Sequence, residues 1–144
     1  MKKIVITSGY FNPLHIGHIN LIRAAKELGD FLVVIVNNDE QVKLKGGVAF
    51  MPELERIEVI RALRYADDVV LSIDKGESVA ESLKMVCKKY TGELYFAKGG
   101  DRNAANIPEK SICKELGIKI INGVGGKKVQ SSSRLIINAI KSVK

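Results

Sequence analysis

The two histidines of the chain, His15 and His18, lie within the stretch GYFNPLHIGH and are the residues whose types and spacing most clearly suggest chemistry. An apolar run precedes this stretch and INLIRAAKEL follows it, a pattern that predicts a junction between a strand and a helix. Side chains three positions apart share one helix face, and the N-terminus of a helix favours anions. Two imidazole N–H donors at such a junction could stabilise the charge that develops on a phosphate in a transition state.

Three alternatives compete with a phosphate site at the histidine pair. A zinc site needs further ligands, but the chain has no third histidine, and Cys87 and Cys113 are distant in sequence and lack CxxC spacing. A dinucleotide site of the Rossmann type requires G-x-G-x-x-G after the first strand, and this motif is absent. Surface histidines without a role are the remaining alternative, and only the other loops of the chain argue against it.

Three short stretches add residues that suit a nucleotide. Gly9 follows the first predicted strand, where the absence of a side chain permits a sharp turn or the close approach of a ligand. The stretch KGGDR at 98–102 is an ordinary turn, or one that admits a flat base or a sugar. The serines at 131–133 follow a turn rich in glycine and lysine, and hydroxyls at a helix start either bind phosphate or simply cap the helix.

The elements that must position these stretches alternate between strand and helix. The predicted strands cover 2–7, 31–37, 68–73, 93–97 and 118–121, and the predicted helices cover 15–28, 52–65, 78–90, 108–116 and 131–142. This alternation predicts a single α/β domain over residues 1–144, with a Rossmann-like, doubly wound, five-stranded parallel sheet and helices on both faces. Because ligands bind beyond the carboxyl ends of such strands, we expect the loops at 8–16, 38–50, 98–107 and 122–130 to form one site.

The composition narrows the classes of partner. The formal net charge of +7 attracts anions, but the basic residues are dispersed and no nucleic-acid-binding module is recognisable, so we predict no nucleic-acid partner and only weak, salt-sensitive binding to DNA. The longest apolar run, FLVVIV, is too short to span a membrane, and no signal peptide is recognisable. Two cysteines without CxxC spacing favour reduced thiols in a cytoplasmic protein.

The same stretches resemble the HxGH nucleotidyltransferases over nearly the whole chain. GYFNPLHIGH looks like the signature of that group, and LRYADDVV at 63–70 is similar to the RYVDEV segment of the cytidylyltransferases that act on choline phosphate and glycerol 3-phosphate. AKGGD at 97–101 resembles the nucleotidyltransferase domain of the bifunctional bacterial heptose enzyme, and QSSSRLI at 130–136 resembles the start of the last helix in the group. The resemblance implies transfer of CMP or AMP from CTP or ATP to a small phosphorylated acceptor, with release of pyrophosphate.

The resemblance also implies roles for individual residues. His15 and His18 would contact the triphosphate and stabilise the transition state, together with Lys45 in the loop after the second strand. Lys45, Arg56 and Arg64 would lie near the phosphates of the acceptor. The implied nucleotide site comprises Gly9, Tyr10, Phe11, His15, His18, Gly99, Gly100, Asp101, Ser131, Ser132 and Ser133.

Departures from the cytidylyltransferase pattern leave the base open. Asn12 replaces the usual aspartate and looks more like the nicotinamide-mononucleotide adenylyltransferases, Arg102 stands where an aromatic residue is common, and Lys127 and Lys128 lie near the place of a missing arginine. We expect cytidylyl transfer, because LRYADDVV covers more positions than the change at Asn12. The alternatives are adenylyl transfer of the heptose-phosphate or mononucleotide type and a nucleotide-binding module without catalysis.

The implied reaction sets the remaining expectations. The phosphate of the acceptor is already a charged nucleophile, so catalysis requires positioning and charge stabilisation rather than a general base. Mg²⁺ is expected to bridge the triphosphate, with no metal site built by the protein. The family resemblance implies a homodimer.

Overall fold

Within the residues that the computed structural model describes, 1–100, 107–126 and 131–143, five parallel strands and six helices alternate along the chain. The strands are β1 (Lys3–Gly9), β2 (Phe31–Val36), β3 (Asp68–Leu71), β4 (Glu93–Ala97) and β5 (Lys119–Ile121). The helices are α1 (Ile16–Glu27), α2 (Asp39–Leu44), α3 (Glu53–Arg61), α4 (Ala80–Lys89), α5 (Lys110–Leu116) and α6 (Ser132–Val143). Among these described helices, none has the length and apolar character needed to cross a lipid bilayer.

Two hydrophobic cores lie on opposite faces of the sheet and explain the sequences of its strands. Successive side chains of a strand point to opposite faces, so in β2 Val33 and Ile35 pack into the core beneath α4 and α5. Leu32 and Val34 pack into the other core, beneath α1 and α3. All four side chains are fully buried, and a strand covered on both faces needs no polar side. The predicted α/β class with a doubly wound, Rossmann-like sheet is confirmed.

The order of the strands creates a crevice for a ligand. Across the sheet the order is β3-β2-β1-β4-β5, and every neighbouring pair is parallel. From the central strand β1, the chain builds one half of the sheet through β2 and β3 and the other half through β4 and β5. The loops after β1 and β4 therefore diverge at their carboxyl ends, and ligands of open α/β sheets bind at such a point. The two halves meet at the seam between β1 and β4. Thr7 links the strands there, because its side-chain hydroxyl donates to the carbonyl of Ala97 at 2.9 Å.

The region 38–50, predicted as a loop, contains the short helix α2. The side-chain oxygen of Asn38 accepts from the backbone N–H of Gln41 at 2.9 Å, and the side-chain oxygen of Gln41 accepts from the backbone N–H of Asn38 at 3.1 Å. This reciprocal pair is a capping box. A helix of 6 residues shows no readable hydrophobic period, so the sequence pattern did not predict it. It matters for function because Lys45 directly follows its last residue.

Helix α4 begins two residues after the start predicted at Ser78. The carboxylate of Asp74 accepts hydrogen bonds from the backbone N–H groups of Glu81 and Ser82 at 2.8 and 2.9 Å. The N–H groups at the helix start are thus satisfied by a carboxylate from the loop after β3. The N-cap position is Val79, whose side chain makes no capping hydrogen bond.

Candidate functional site

A cavity of about 600 Å³ opens at the carboxyl edge of the sheet. Its walls come from the loops after β1, β4 and β5, from the end of α2 with the segment that follows it, and from the start of α6. The structure brings the following predicted site residues together around it: Gly9, Tyr10, His15, His18, Lys45, Gly99, Gly100, Ser131 and Ser132. Asp101 and the side chain of Ser133 lie outside the described part of the structure.

The two histidines begin helix α1 as a capping box. His15 is the N-cap residue, and its Nδ1 accepts from the backbone N–H of Gly17 at 3.1 Å. His18 is the third residue of the helix, and its Nδ1 accepts from the backbone N–H of His15 at 3.2 Å. Serine and glutamate usually make these two bonds. Because each Nδ1 is an acceptor, each neutral ring carries its proton on Nε2. The bonds that start the helix therefore also select the tautomer.

Phe11 supports the histidines from below and does not line the cavity. The two imidazole rings stack with centroids 3.7 Å apart, and the ring of Phe11 meets that of His18 edge to face at 4.9 Å. Phe11 is fully buried and has a φ of 50°, in the left-handed region. A Cβ atom at Gly9 would lie 2.7 Å from the Phe11 ring, so only glycine fits there. The role implied for the Phe11 side chain in the nucleotide site is corrected to a packing role.

Tyr10 and Lys45 form another wall of the cavity. Lys45 ends helix α2, and its ammonium group lies 4.4 Å from the centroid of the Tyr10 ring, within the range of a cation–π contact. The wall continues through the segment 46–48, which also lines the cavity. This arrangement adds a positive charge to the cavity that the histidines also line, where it can attract an anionic group.

Asn12 fastens the loop after β1 to the segment before α3. Its side-chain NH2 donates to the carbonyl of Val48 at 2.9 Å, and its side-chain oxygen accepts from the backbone N–H of Met51 at 3.0 Å. An ionised aspartate could accept the second bond but could not donate the first. The departure that the sequence showed at Asn12 therefore has a structural cause in this chain, the closure of the segment 48–51.

The loops after β4 and β5 form a further wall of the cavity, and their glycines allow this wall to approach helix α1 closely. Gly125 has a φ of 87°, and a Cβ atom there would lie 2.9 Å from backbone atoms of Leu21. A Cβ atom at Gly99 would lie 3.4 Å from the side chain of Leu21. Both glycines line the cavity, so this wall presents backbone rather than side chains to a ligand. Both loops are predicted from the sequence, but Gly99 is a predicted site residue and Gly125 is not.

The start of helix α6 is tied to the histidine loop. The hydroxyl of Ser132 donates to the carbonyl of Pro13 at 2.9 Å, and the hydroxyl of Ser131 accepts from the backbone N–H of Arg134 at 3.1 Å. Ser131 is thus an N-cap, the ordinary role weighed for it from the sequence, and it also lines the cavity. A helix that begins at the cavity directs its dipole toward any anion bound there.

The two arginines expected near the phosphates of the acceptor do not reach the cavity. The side chain of Arg56 is fully buried. Arg64 lies beyond the end of α3, where its guanidinium donates to the hydroxyl of Tyr65 at 3.0 Å. This position lies beside the amino end of β2, because the neighbouring Asp67 pairs with the backbone of Leu32. The prediction that Arg56 and Arg64 contact phosphate is corrected for both residues by their placement.

The donor set of the cavity suits phosphate. Imidazole, ammonium, hydroxyl and glycine backbone groups line it, and these donate hydrogen bonds or carry positive charge. In the described ranges of the chain, no three side chains of the His, Cys, Asp or Glu type cluster as a metal site would require.

Comparisons with known proteins agree with this geometry. The family described as cytidylyltransferase-like matches residues 6–122. FAD synthase from Pyrococcus horikoshii is 48% identical over 118 residues, which cover 81% of this chain and 77% of that protein. The bifunctional protein HldE from Streptomyces coelicolor is 39% identical over 119 residues, which cover 79% of this chain but only 24% of that protein. The crystal structure of the lipopolysaccharide core biosynthesis protein from Thermoplasma volcanium shares the fold, with a TM-score of 0.69 at 24% identity over 85% of this chain and 96% of that chain.

Proposed function

Because the chain belongs to the cytidylyltransferase-like family and is a nucleotidyltransferase, we propose that it transfers AMP from ATP to flavin mononucleotide and so forms FAD. The observation that carries the proposal is the 48% identity to the FAD synthase of Pyrococcus horikoshii over 77% of that protein's length. FAD synthase from Pyrococcus abyssi adds 39% identity over 117 residues, 75% of its length. FAD is flavin mononucleotide joined to AMP through a phosphoanhydride, so its synthesis fits an acceptor that is itself a phosphate monoester.

The choice of ATP replaces the preference for CTP drawn from the sequence. That preference rested on LRYADDVV, and the structure places this segment at the amino edge of the sheet, away from the cavity. There Asp67 accepts hydrogen bonds from the backbone N–H of Leu32 at 2.8 Å and from the ammonium of Lys26 at 2.5 Å. Asp68 accepts from Lys89 at 3.1 Å. These contacts secure helices to the sheet and do not read a nucleotide base.

The proposed reaction is a displacement at the α-phosphorus of ATP. An oxygen of the acceptor phosphate forms the new P–O bond, the bond from the α-phosphorus to the bridging oxygen breaks, and pyrophosphate leaves. Negative charge grows on the oxygens of the triphosphate as this occurs. The Nε2–H groups of His15 and His18 would stabilise it as hydrogen-bond donors, because each Nδ1 is already engaged as an acceptor in the capping box. Lys45, which also lines the cavity, would hold the acceptor phosphate in line.

Magnesium fits this site through the substrate. We propose that Mg²⁺ arrives with the triphosphate, whose oxygens and water supply most of its ligands. When bound, it would neutralise phosphate charge. Among the described residues that line the cavity, none is an aspartate or a glutamate, so we assign to them the part of gripping the phosphates. The homodimer implied by the sequence remains a prediction.

A phosphorylated sugar is the second candidate acceptor. It is favoured by the 39% identity to the bifunctional protein HldE over 79% of this chain and by the AKGGD stretch at 97–101. The chain spans about a quarter of HldE, so this comparison bears on the nucleotidyl-transfer site alone.

A release assay tests the proposal. The protein is incubated with Mg²⁺, with ATP or CTP, and with flavin mononucleotide or a heptose phosphate, and both pyrophosphate and the dinucleotide product are measured. We expect pyrophosphate and FAD in equal amounts only with ATP and flavin mononucleotide. Product with CTP alone, or with the sugar phosphate alone, contradicts the proposed substrates. Binding of ATP without pyrophosphate from any pair would favour the nucleotide-binding module without catalysis.

A further inference from the structure

Arg56 is a fully buried arginine that the reaction described above does not use. Its Nε donates to the carbonyl of Met51 at 2.9 Å. Its Nη1 donates to the carbonyls of Tyr10 and Asn37 at 2.8 and 2.6 Å. Its Nη2 donates to a carboxylate oxygen of Asp39 at 2.6 Å. Four hydrogen bonds thus converge on one planar guanidinium, a geometry that lysine cannot reproduce.

The partners of Arg56 belong to four segments that meet beside the cavity. Tyr10 directly follows β1, Asn37 directly follows β2, Asp39 is the first residue of α2, and Met51 lies just before α3. The arginine joins all four through one side chain, and smaller contacts such as those of Asn12 add to this link. The guanidinium therefore adds to the backbone bond from the N–H of Asn37 to the carbonyl of Gly9, at 2.9 Å, in holding the loop after β1 against the loop after β2.

One wall of the cavity depends on this link between the two loops. Tyr10 stands on the loop after β1, and Lys45 stands at the end of α2 with its ammonium over the Tyr10 ring. Arg56 binds the Tyr10 carbonyl on one side and the start of α2, through Asp39, on the other. The position of Lys45 relative to Tyr10 is therefore set by groups that Arg56 holds.

The histidine wall does not depend on Arg56 in the same way. His15 and His18 are oriented by bonds to backbone groups of Gly17 and of His15 itself, all within the first turn of α1. Phe11 packs against His18 from the core. A change at Arg56 should thus disturb one wall more than the other.

On this basis, and resting on the proposed nucleotidyl transfer, we propose that Arg56 is a positioning residue for the acceptor. It acts by fixing the wall of Tyr10, Lys45 and the segment 46–48, and it does not contact a phosphate. Its side chain has no exposed surface to offer an anion. The positioning role depends on the four hydrogen bonds of the guanidinium, so a positive charge without those bonds is not sufficient to hold the wall.

The test compares two effects of Arg56→Lys, the change in the KM for the acceptor and the change in the affinity for a nucleotide analogue. This variant keeps the positive charge but loses the planar guanidinium with its four hydrogen bonds. Steady-state turnover gives the KM for the acceptor, and calorimetry gives the affinity for α,β-methylene-ATP, which cannot react. We expect the acceptor KM to rise about tenfold or more, while the affinity for the analogue changes less than about threefold. The matched control is Arg61→Lys on the same helix, an exposed arginine that pairs with Glu58, which should match the wild type in both.

A second variant keeps the proposal testable if Arg56→Lys does not fold. Asp39→Ala removes the hydrogen bond from Nη2 of Arg56 and leaves the three bonds from Arg56 to backbone carbonyls in place. It should shift acceptor KM in the same direction by about threefold, with little change for the analogue. An unchanged acceptor KM in a folded variant, or equal losses for acceptor and analogue, overturns the proposal.

The wild-type protein separates this inference from the proposed function. If it forms product with another nucleotide or acceptor, the substrates proposed above are wrong, and the same two effects of Arg56→Lys are measured with the pair that reacts. If it forms no product with any pair, the proposed reaction fails, and the role of Arg56 in that reaction fails with it. If it forms product and the two effects do not differ, only the role of Arg56 is refuted.

Discussion

Two walls of the cavity, that of His15 and His18 and that of Tyr10 and Lys45, are built in different ways. The histidine wall is held by hydrogen bonds that reach two and three residues along the chain. The wall of Tyr10 and Lys45 is held through Arg56, whose bonds to Tyr10 and Asn37 span 46 and 19 residues. The first wall is a local motif and the second is a product of the whole fold. From this comparison we expect that substitutions can damage reactivity and acceptor placement separately.

The largest effect is expected at the histidine wall. His18→Ala and His15→Ala should each lower turnover by about a hundredfold, the loss typical for one donor to a developing oxyanion. The affinity for α,β-methylene-ATP should fall much less, because backbone N–H groups and the start of α6 still grip the ground state. Turnover, analogue affinity and melting temperature are measured side by side.

A companion variant separates capping from catalysis. His18→Gln can still accept the hydrogen bond from the backbone of His15, as glutamine does in ordinary capping boxes. It should recover stability that alanine loses, about 1 kcal/mol, without recovering turnover. If either variant at His18 keeps near-normal turnover, the histidine pair is structural only.

Lys45→Gln tests the wall of Tyr10 and Lys45. We expect the KM for the acceptor to rise about tenfold, equivalent to about 1.4 kcal/mol, because the wall loses its positive charge while the histidines keep their geometry. The affinity for the ATP analogue should stay within about twofold. Lys43→Gln is the control, since Lys43 is exposed on the same short helix and does not line the cavity. A larger loss for the analogue than for the acceptor would reverse the assignment of the two walls.

Ser132→Ala removes the link between α6 and the histidine loop. Loss of one hydrogen bond of this kind costs about 1 kcal/mol, so the affinity for the ATP analogue should fall roughly threefold to fivefold, with a smaller change in acceptor KM. Ser142→Ala provides the control on the same helix, because its hydroxyl also donates to a backbone carbonyl, that of Ala139, at 2.9 Å. Equal effects of both serine variants would mean that the link to Pro13 contributes nothing specific.

The smallest effect on activity is expected far from both walls, at Asp67. Burial raises the pKa of this carboxyl, but hydrogen bonds from Lys26 and from the Leu32 backbone outweigh it, so the pKa lies below the ordinary value of 3.8. A depressed pKa stabilises the fold above that value, and the stabilisation is lost as the pH falls through the folded pKa. Asp67→Asn should cost about 1 kcal/mol at pH 7 and leave the preference between ATP and CTP unchanged.

The pH dependence of the melting temperature tests this role of Asp67. The difference in melting temperature between Asp67→Asn and the wild type should shrink below about pH 4 and close at lower pH. A gap that persists to about pH 2, or a changed preference for the base, would show that LRYADDVV does more than hold the sheet.

The histidine wall could be predicted from the sequence because its causes are local. A histidine pair three residues apart at a helix start already contains the donors, the acceptors and the spacing of the capping box. The glycines after β1 and β4 could be predicted for a similar reason. A turn that requires glycine has that residue at the turn, so the sequence itself indicates the position. The parallel sheet followed from five apolar runs at regular intervals.

Tyr10 and Lys45 are expected site residues from the sequence, but the contacts that hold their wall could not be predicted, because they join residues that are distant along the chain. An arginine in the sequence ELERIEVIR looks exposed, since arginine is almost never fully buried unless paired. The partners that allow burial of Arg56 are mainly backbone carbonyls. Because every residue carries a carbonyl, the residue types in the sequence do not indicate which positions bind this arginine. Helix α2 escaped prediction in the same way, because a capping box of Asn38 and Gln41 replaces the hydrophobic period of a longer helix.

The seam between β1 and β4 has a consequence for how the chain reaches its native state. The hydrogen bonds between Lys3 and Asp30, just before β2, close a loop of 27 residues, whereas the contact of Thr7 with Ala97 closes one of 90 residues. The longer closure costs about 1 kcal/mol more chain entropy, and contacts between distant residues form slowly. The histidines lie on one side of this seam and Gly99 on the other. We therefore expect the cavity to be completed late in folding, and a nucleotide that touches both sides to slow unfolding by holding the seam closed.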